Sequence, residues 1–87
     1  MNMRFTIEQR HLTDQTGRPV PPDSVTYHTC DADNVDEAVR LFVRKRNAEI
    51  SGNVMTFPGF QAIATVRDPS GVYTLQVTPA SGRNVVC

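Results

Sequence analysis

Only one stretch of this 87-residue chain repeats its apolar side chains with the period of a helix: "NVDEAVRLFVRKRN", residues 34–47. Stepping by about 100° per residue places Val35, Ala38, Val39 and Phe42 at the centre of an apolar stripe, with Leu41 and Val43 on its flanks. Asp36, Glu37, Arg40 and Arg44 fall on the opposite side. Asn34 is placed to cap this helix, and Glu37 three residues later completes a capping-box spacing. A lone helix with one apolar stripe must bury it against another layer, so the rest of the chain has to supply a sheet.

The flanking segments alternate as strands do. Over residues 3–12, Met3, Phe5 and Ile7 point one way, and Arg4, Thr6 and Glu8 the other. The Pro-, Gly- and Asp-rich segment "TDQTGRPVPPDS" leads to a second strand, "VTYHTCD", which sets Val25 and Tyr27 against Thr26, His28 and Cys30. The connection over residues 13–24 is longer than a hairpin requires. It is expected to be mobile or used in binding, with its amides unprotected from exchange. After the helix, "EISGNVMTF" is interrupted by Gly52, where a bulge or a late strand start is expected. Pro58-Gly59, between Phe57 and Phe60, matches the central pair of a type II turn.

"FQAIATVRD" then alternates Phe60, Ala62, Ala64 and Val66 against Gln61, Ile63, Thr65 and Arg67. "DPSG" at 68–71 reads as a type I turn with its glycine in the left-handed position, a common hairpin loop. "VYTLQVTP" sets Tyr73, Leu75 and Val77 on one face before Pro79 stops it. The order ββαβββ predicts an α+β fold: an antiparallel sheet of about five strands with one helix on one face. One domain is expected over residues 1–79, with a flexible tail over 80–87. Phe5, Ile7, Tyr27, Val39, Phe42, Leu75 and Val77 are expected to share its core.

Charge and cysteine usage narrow the function. Nine Lys and Arg balance nine Asp and Glu, so no net field draws the chain to polyanions or to a membrane surface. The start "MNMRFTIEQ" lacks the apolar run of a signal peptide and no segment approaches membrane-spanning length, so a cytoplasmic location is expected. Cys30 and Cys87 have no C-x-x-C spacing and read as reduced thiols. His28 and Cys30, with His11 on the neighbouring strand, lack the fourth ligand and the spacing of a zinc motif, so no metal is assigned. There is no nucleophile elbow and no Gly-rich phosphate loop, and a pairing of Glu8 with His28 is what any two strands offer by chance. No catalytic residue and no cofactor are assigned, and the chain is not expected to be an enzyme.

The cations Arg44, Lys45 and Arg46 raise the one sharper question. Asp31, Asp33, Asp36 and Glu37 gather at the helix start and the cations at its end, the arrangement that the helix dipole favours. Asp36 and Arg40 also stand at the i,i+4 spacing of an ion pair. Helical stepping sends Arg44 to solvent, Lys45 to the flank and Arg46 toward the apolar side, so the three do not converge on a phosphate groove. "RPVPP" at 18–22 reads as a stiffened loop in preference to a polyproline ligand. "FPGF" carries two aromatic rings that either anchor a turn or, left exposed, form an interaction hot spot. The candidate interaction surface is therefore Arg40, Arg44, Lys45, Arg46, Phe57, Phe60 and Arg67.

The layout of a hairpin, "TCDADNVDEAV" into a helix, then "SGNVMTF" and two closing strands ending in "SGVYTLQV", resembles that of some small phage-encoded anti-CRISPR proteins. The shared features are length, the helix entry, and the G-x-V-M strand formed by Gly52, Val54 and Met55. The resemblance implies a compact surface that blocks a protein partner or its nucleic-acid channel, and it carries over no site residue. The expected function is a small binding module acting through a protein partner, with inhibition of a nucleic-acid-handling complex as the implied role. The alternative is a direct nucleic-acid-binding module that uses the basic helix end and Arg67. Whether the chain pairs with a second copy of itself stays open.

Overall fold

The computed structural model describes residues 3–21 and 23–80. Five strands and one helix follow in the expected order: β1 (Met3–His11), β2 (Val25–Ala32), α1 (Val35–Lys45), β3 (Glu49–Phe57), β4 (Gln61–Asp68) and β5 (Gly71–Pro79). They build one antiparallel sheet in the spatial order β2-β1-β5-β4-β3. The helix therefore leaves one edge strand, β2, crosses the sheet, and enters the other edge strand, β3. It is not long and apolar enough to cross a membrane. The tail expected over 80–87 lies outside the described residues except for Ala80, whose N–H donates to the Arg4 carbonyl at 2.8 Å.

Capping explains the limits of α1. The Asn34 side chain accepts from the Glu37 N–H at 2.8 Å, and the Glu37 carboxylate reaches back to the Asp33 N–H at 2.6 Å. At the far end Asn47 adopts φ 52°, and the Ala48 N–H turns back to the Val43 carbonyl at 3.0 Å while that of Asn47 bonds to Arg44. That is a Schellman closure, with asparagine in the left-handed position more often held by glycine. Val35, Ala38, Val39 and Phe42 are the buried helix residues. They pack on Phe5 and Ile7 of β1, Ala62, Ala64 and Val66 of β4, and Tyr73, Leu75 and Val77 of β5.

Tyr27 is not in this core. It is 66% exposed, because β1 and β2 pair with Phe5 opposite Cys30 and Ile7 opposite His28. Directly opposite residues share a face, so Thr26, His28 and Cys30 turn toward the helix and Tyr27 turns away. Phe60 also departs from the expected alternation. It sits in the β3–β4 turn at φ 58°, after Gly59 at φ 86°, and is exposed. The interruption expected at Gly52 is present: the β3–β4 register shifts between Ser51 and Met55, and Gly52 takes φ 86°.

The described residues of the long β1–β2 connection are folded, not loose. Asp14 accepts at one carboxylate oxygen from the Thr16 N–H (2.8 Å), the Thr16 hydroxyl (2.6 Å) and the Arg18 N–H (3.1 Å). Thr16 first, then the Arg18 amide, hold that carboxyl below its ordinary pKa. Thr13 bridges to Pro19, and the Val20 N–H returns to the Leu12 carbonyl at 3.1 Å. The base of this loop is clamped to β5, where the Val72 carbonyl accepts from both Leu12 and Thr13 and the Thr13 hydroxyl accepts from the Val72 N–H.

Candidate functional site

The seven residues read from the sequence as an interaction surface do not form one surface. Arg40 is paired with Asp36 at 2.8 Å on the outer side of the helix. Arg67 faces Glu49 across the β4–β3 pair, 3.8 Å apart, on the sheet face away from the helix. Phe57 and Phe60 flank the turn at the opposite end of β3 from the end that the helix feeds. Arg44 is exposed, while Lys45 and Arg46 line a cleft.

That cleft, of about 280 Å³, lies between the last turn of α1 and the edge strand β2. Leu41 and Phe42 form its helix wall, His28 and Cys30 its strand wall, and Lys45 and Arg46 its charged rim. A chain of contacts sets the Arg46 side chain. Its guanidinium carbon lies 4.3 Å from the centre of the Phe42 ring, and one guanidinium nitrogen is 3.3 Å from His28 Nδ1. Since arginine only donates, Nδ1 is the acceptor and His28 is neutral, with its proton on Nε2. Nε2 stands 2.8 Å from the Gln9 side-chain oxygen, an acceptor that matches this tautomer. Burial first, then the charges of Arg46 and His11, lower the pKa of His28 from its ordinary 6.5. Burial raises that of the free thiol Cys30, against the pull of Lys45. Gln9 is the one buried polar side chain among the described residues, and no buried side-chain nitrogen or oxygen there lacks a partner.

The second notable surface is the sheet face that the helix leaves uncovered. One row of directly paired residues runs across all five strands: Tyr27, Glu8, Gln76, Ile63 and Met55. Tyr27 (66%), Met55 (56%) and Ile63 (38%) are all exposed. Phe57 shares this face through its pairing with Gln61, and Phe60 (55% exposed) stands beside it in the turn. The three cations on the face carry carboxylate partners: Arg4 with Asp31 at 3.1 Å, Arg10 with Glu8 at 3.0 Å, and Arg67 with Glu49.

Among the described residues no three His, Cys, Asp or Glu side chains stand together as a metal site. Only the β1–β2 register brings His28 and Cys30 to the face that Phe42 covers, and the sequence of β2 alone does not show it. The sequence pattern places Tyr27 in the core, whereas the register turns it to the exposed row. No family model, characterised protein or solved structure matches the chain.

Proposed function

We propose that this chain is a small non-catalytic module that binds a protein partner through the helix-free face of its sheet. The observation that carries this reading is the exposed cluster of Ile63, Met55 and Phe57 with Phe60 at the β3–β4 turn; Tyr27 is exposed on the same face but stands apart, with Glu8 and Gln76 between. Single exposed apolar side chains are ordinary, whereas a cluster rimmed by polar residues is the signature of an interface. Aromatic rings and methionine supply most of the binding energy in such patches. The inhibitor role implied by the layout resemblance would use this same face against a protein component of a nucleic-acid-handling complex.

The paired cations favour a protein over a polyanion. Arg4, Arg10 and Arg67 lie on the face with carboxylates beside them, and a phosphate backbone would have to displace those partners. The helix-end cations lie on the other side of the sheet from Arg67, so the two do not act on one strand of nucleic acid.

The test places a photoreactive phenylalanine analogue at Phe57, and in a separate protein at Arg40. Irradiation in the native host should give a discrete protein adduct from position 57 that Met55→Asp abolishes, and none from position 40. An adduct with a second copy of the chain would identify the partner as itself. Equal labelling from both positions would overturn the reading. So would micromolar binding of oligonucleotides at physiological salt that is lost when Arg44, Lys45 and Arg46 become glutamine.

A further inference from the structure

We propose that the cleft between α1 and β2 binds a small organic anion, namely an aryl or alkyl body bearing one carboxylate or phosphate group. This site is separate from the sheet face assigned to the protein partner and lies on the opposite side of the sheet.

Three observations converge on it. The first is the distribution of ion pairs. Arg4, Arg10, Arg40 and Arg67 are in direct ion pairs; Lys45 and Arg46 are in none among the described residues, although the Arg46 charge reaches Asp68, and both line this cleft. The second is that Arg46 is held ready. Stacking on Phe42 and the contact with His28 Nδ1 fix the plane of its guanidinium while engaging one nitrogen, which leaves further N–H donors for an oxyanion. Ordering a cation before the ligand arrives lowers the entropy that binding must overcome. The third is the wall. Leu41 and Phe42 are apolar, and the two titratable groups opposite, His28 and Cys30, are both biased toward their neutral forms. No carboxylate is among the described residues that line the cleft, although the charges of Asp31 and Glu37 reach Cys30 from outside it.

Size limits the ligand. A volume of about 280 Å³, at about 30 Å³ for each water in the liquid, holds roughly nine waters. A single ring with one charged group fits this volume. The cations alone would attract any anion weakly. The apolar wall is what makes an organic body preferable to a bare inorganic one.

Phenyl phosphate, inorganic phosphate and benzyl alcohol are the probes, each titrated into the full chain while amide and side-chain NMR shifts are followed. Phenyl phosphate should give saturable shifts centred on His28, Cys30, Leu41, Phe42, Lys45 and Arg46. A dissociation constant of roughly 1–10 mM is expected for so few atoms. Inorganic phosphate and benzyl alcohol should each bind at least about tenfold more weakly, because each supplies half of the recognition. Lys45→Gln and Arg46→Gln should each weaken phenyl phosphate severalfold, while Arg44→Gln, outside the cleft, should leave it unchanged. All three side chains are exposed, so the variants are expected to keep the wild-type amide spectrum elsewhere, which checks the fold directly. Absence of saturation would overturn the proposal, as would equal binding of inorganic phosphate or an equal loss on Arg44→Gln.

Discussion

Arg46 lies with its guanidinium over the face of the Phe42 ring, 4.3 Å from its centre, at the point where the helix ends. The position is geometric in origin. Beyond the last helical residue the chain continues to turn, which brings Arg46 back to the apolar side while Arg44 remains in solvent. The two arginines therefore differ in what they do for stability. Arg46→Gln loses a cation–π contact and is expected to cost about 0.5–1 kcal/mol. Arg44→Gln loses only a favourable charge near the helix C-terminus, about 0.3 kcal/mol, and should fade in high salt. Urea denaturation of both variants at low and high salt separates them, and equal losses would refute the stacking account.

Phe42 and Tyr27 make a sharper pair. Phe42→Ala opens a cavity between helix and sheet and should destabilise the fold by about 3–5 kcal/mol. Tyr27→Ala, on an exposed position, should stay within about 0.5 kcal/mol. A large loss at Tyr27 in equilibrium unfolding would mean that the β1–β2 register differs from the one seen.

Gly71 should resist substitution. It is buried at φ 132°, and a methyl group there would run into the carbonyl oxygen of Thr13 and come within 2.8 Å of the Asp14 carbonyl. Gly71→Ala must push the β1–β2 loop off the start of β5, and the backbone strain alone is worth about 1–3 kcal/mol. Thermal denaturation measures the loss. Hydrogen exchange should show the amides of Leu12 and Thr13, slow in the wild type, exchanging faster in the variant. Fast exchange at both in the wild type would contradict the folded loop.

His28 gives a pH signature of definite sign. Its pKa is lowered in the folded protein from 6.5, because burial and the charges of Arg46 and His11 oppose protonation. The unfolded chain therefore takes up the proton first as the pH falls. The favourable contribution of neutral His28 is complete above about 6.5 and is lost as the pH drops through the lower folded-state value. An NMR titration should place the His28 midpoint below 6.5, and Arg46→Gln should move it upward. A midpoint at or above the ordinary value would exclude the neutral, Arg46-facing ring.

The helix and its sheet were legible because their signals are local. Asn34 and Glu37 mark the helix start, and Val35, Ala38, Val39 and Phe42 its buried side, within a dozen residues of sequence. Ala62, Ala64, Val66, Tyr73, Leu75 and Val77 declare the buried face of their strands by alternation alone. What failed was whatever depends on pairing between distant strands. Edge strand β2 turns a histidine, a threonine and a cysteine inward and a tyrosine outward, so ranking its faces by hydrophobicity chose the wrong one. Phe60 continued the period of β4 on paper, but the left-handed turn begins before it. The loop over 13–24 looked structureless because its organising residue, Asp14, works through backbone amides that no composition reveals.

The placement of β5 between β1 and β4 governs how the chain can reach this structure. The β1–β2 and β3–β4 hairpins can each form early from neighbouring sequence, yet an isolated hairpin is marginal in water. Their sheet becomes continuous only when β5 inserts between them, pairing Ile7 with Val77 on one side and Val66 with Tyr73 on the other. The contact that closes the fold is thus among the most distant in sequence, and its loop-closure entropy falls due before most of the burial is gained. Such a chain is expected to fold more slowly than a helical bundle of its size. Until β5 pairs with β1, the helix alone joins the two halves, and no strand of one bonds to a strand of the other.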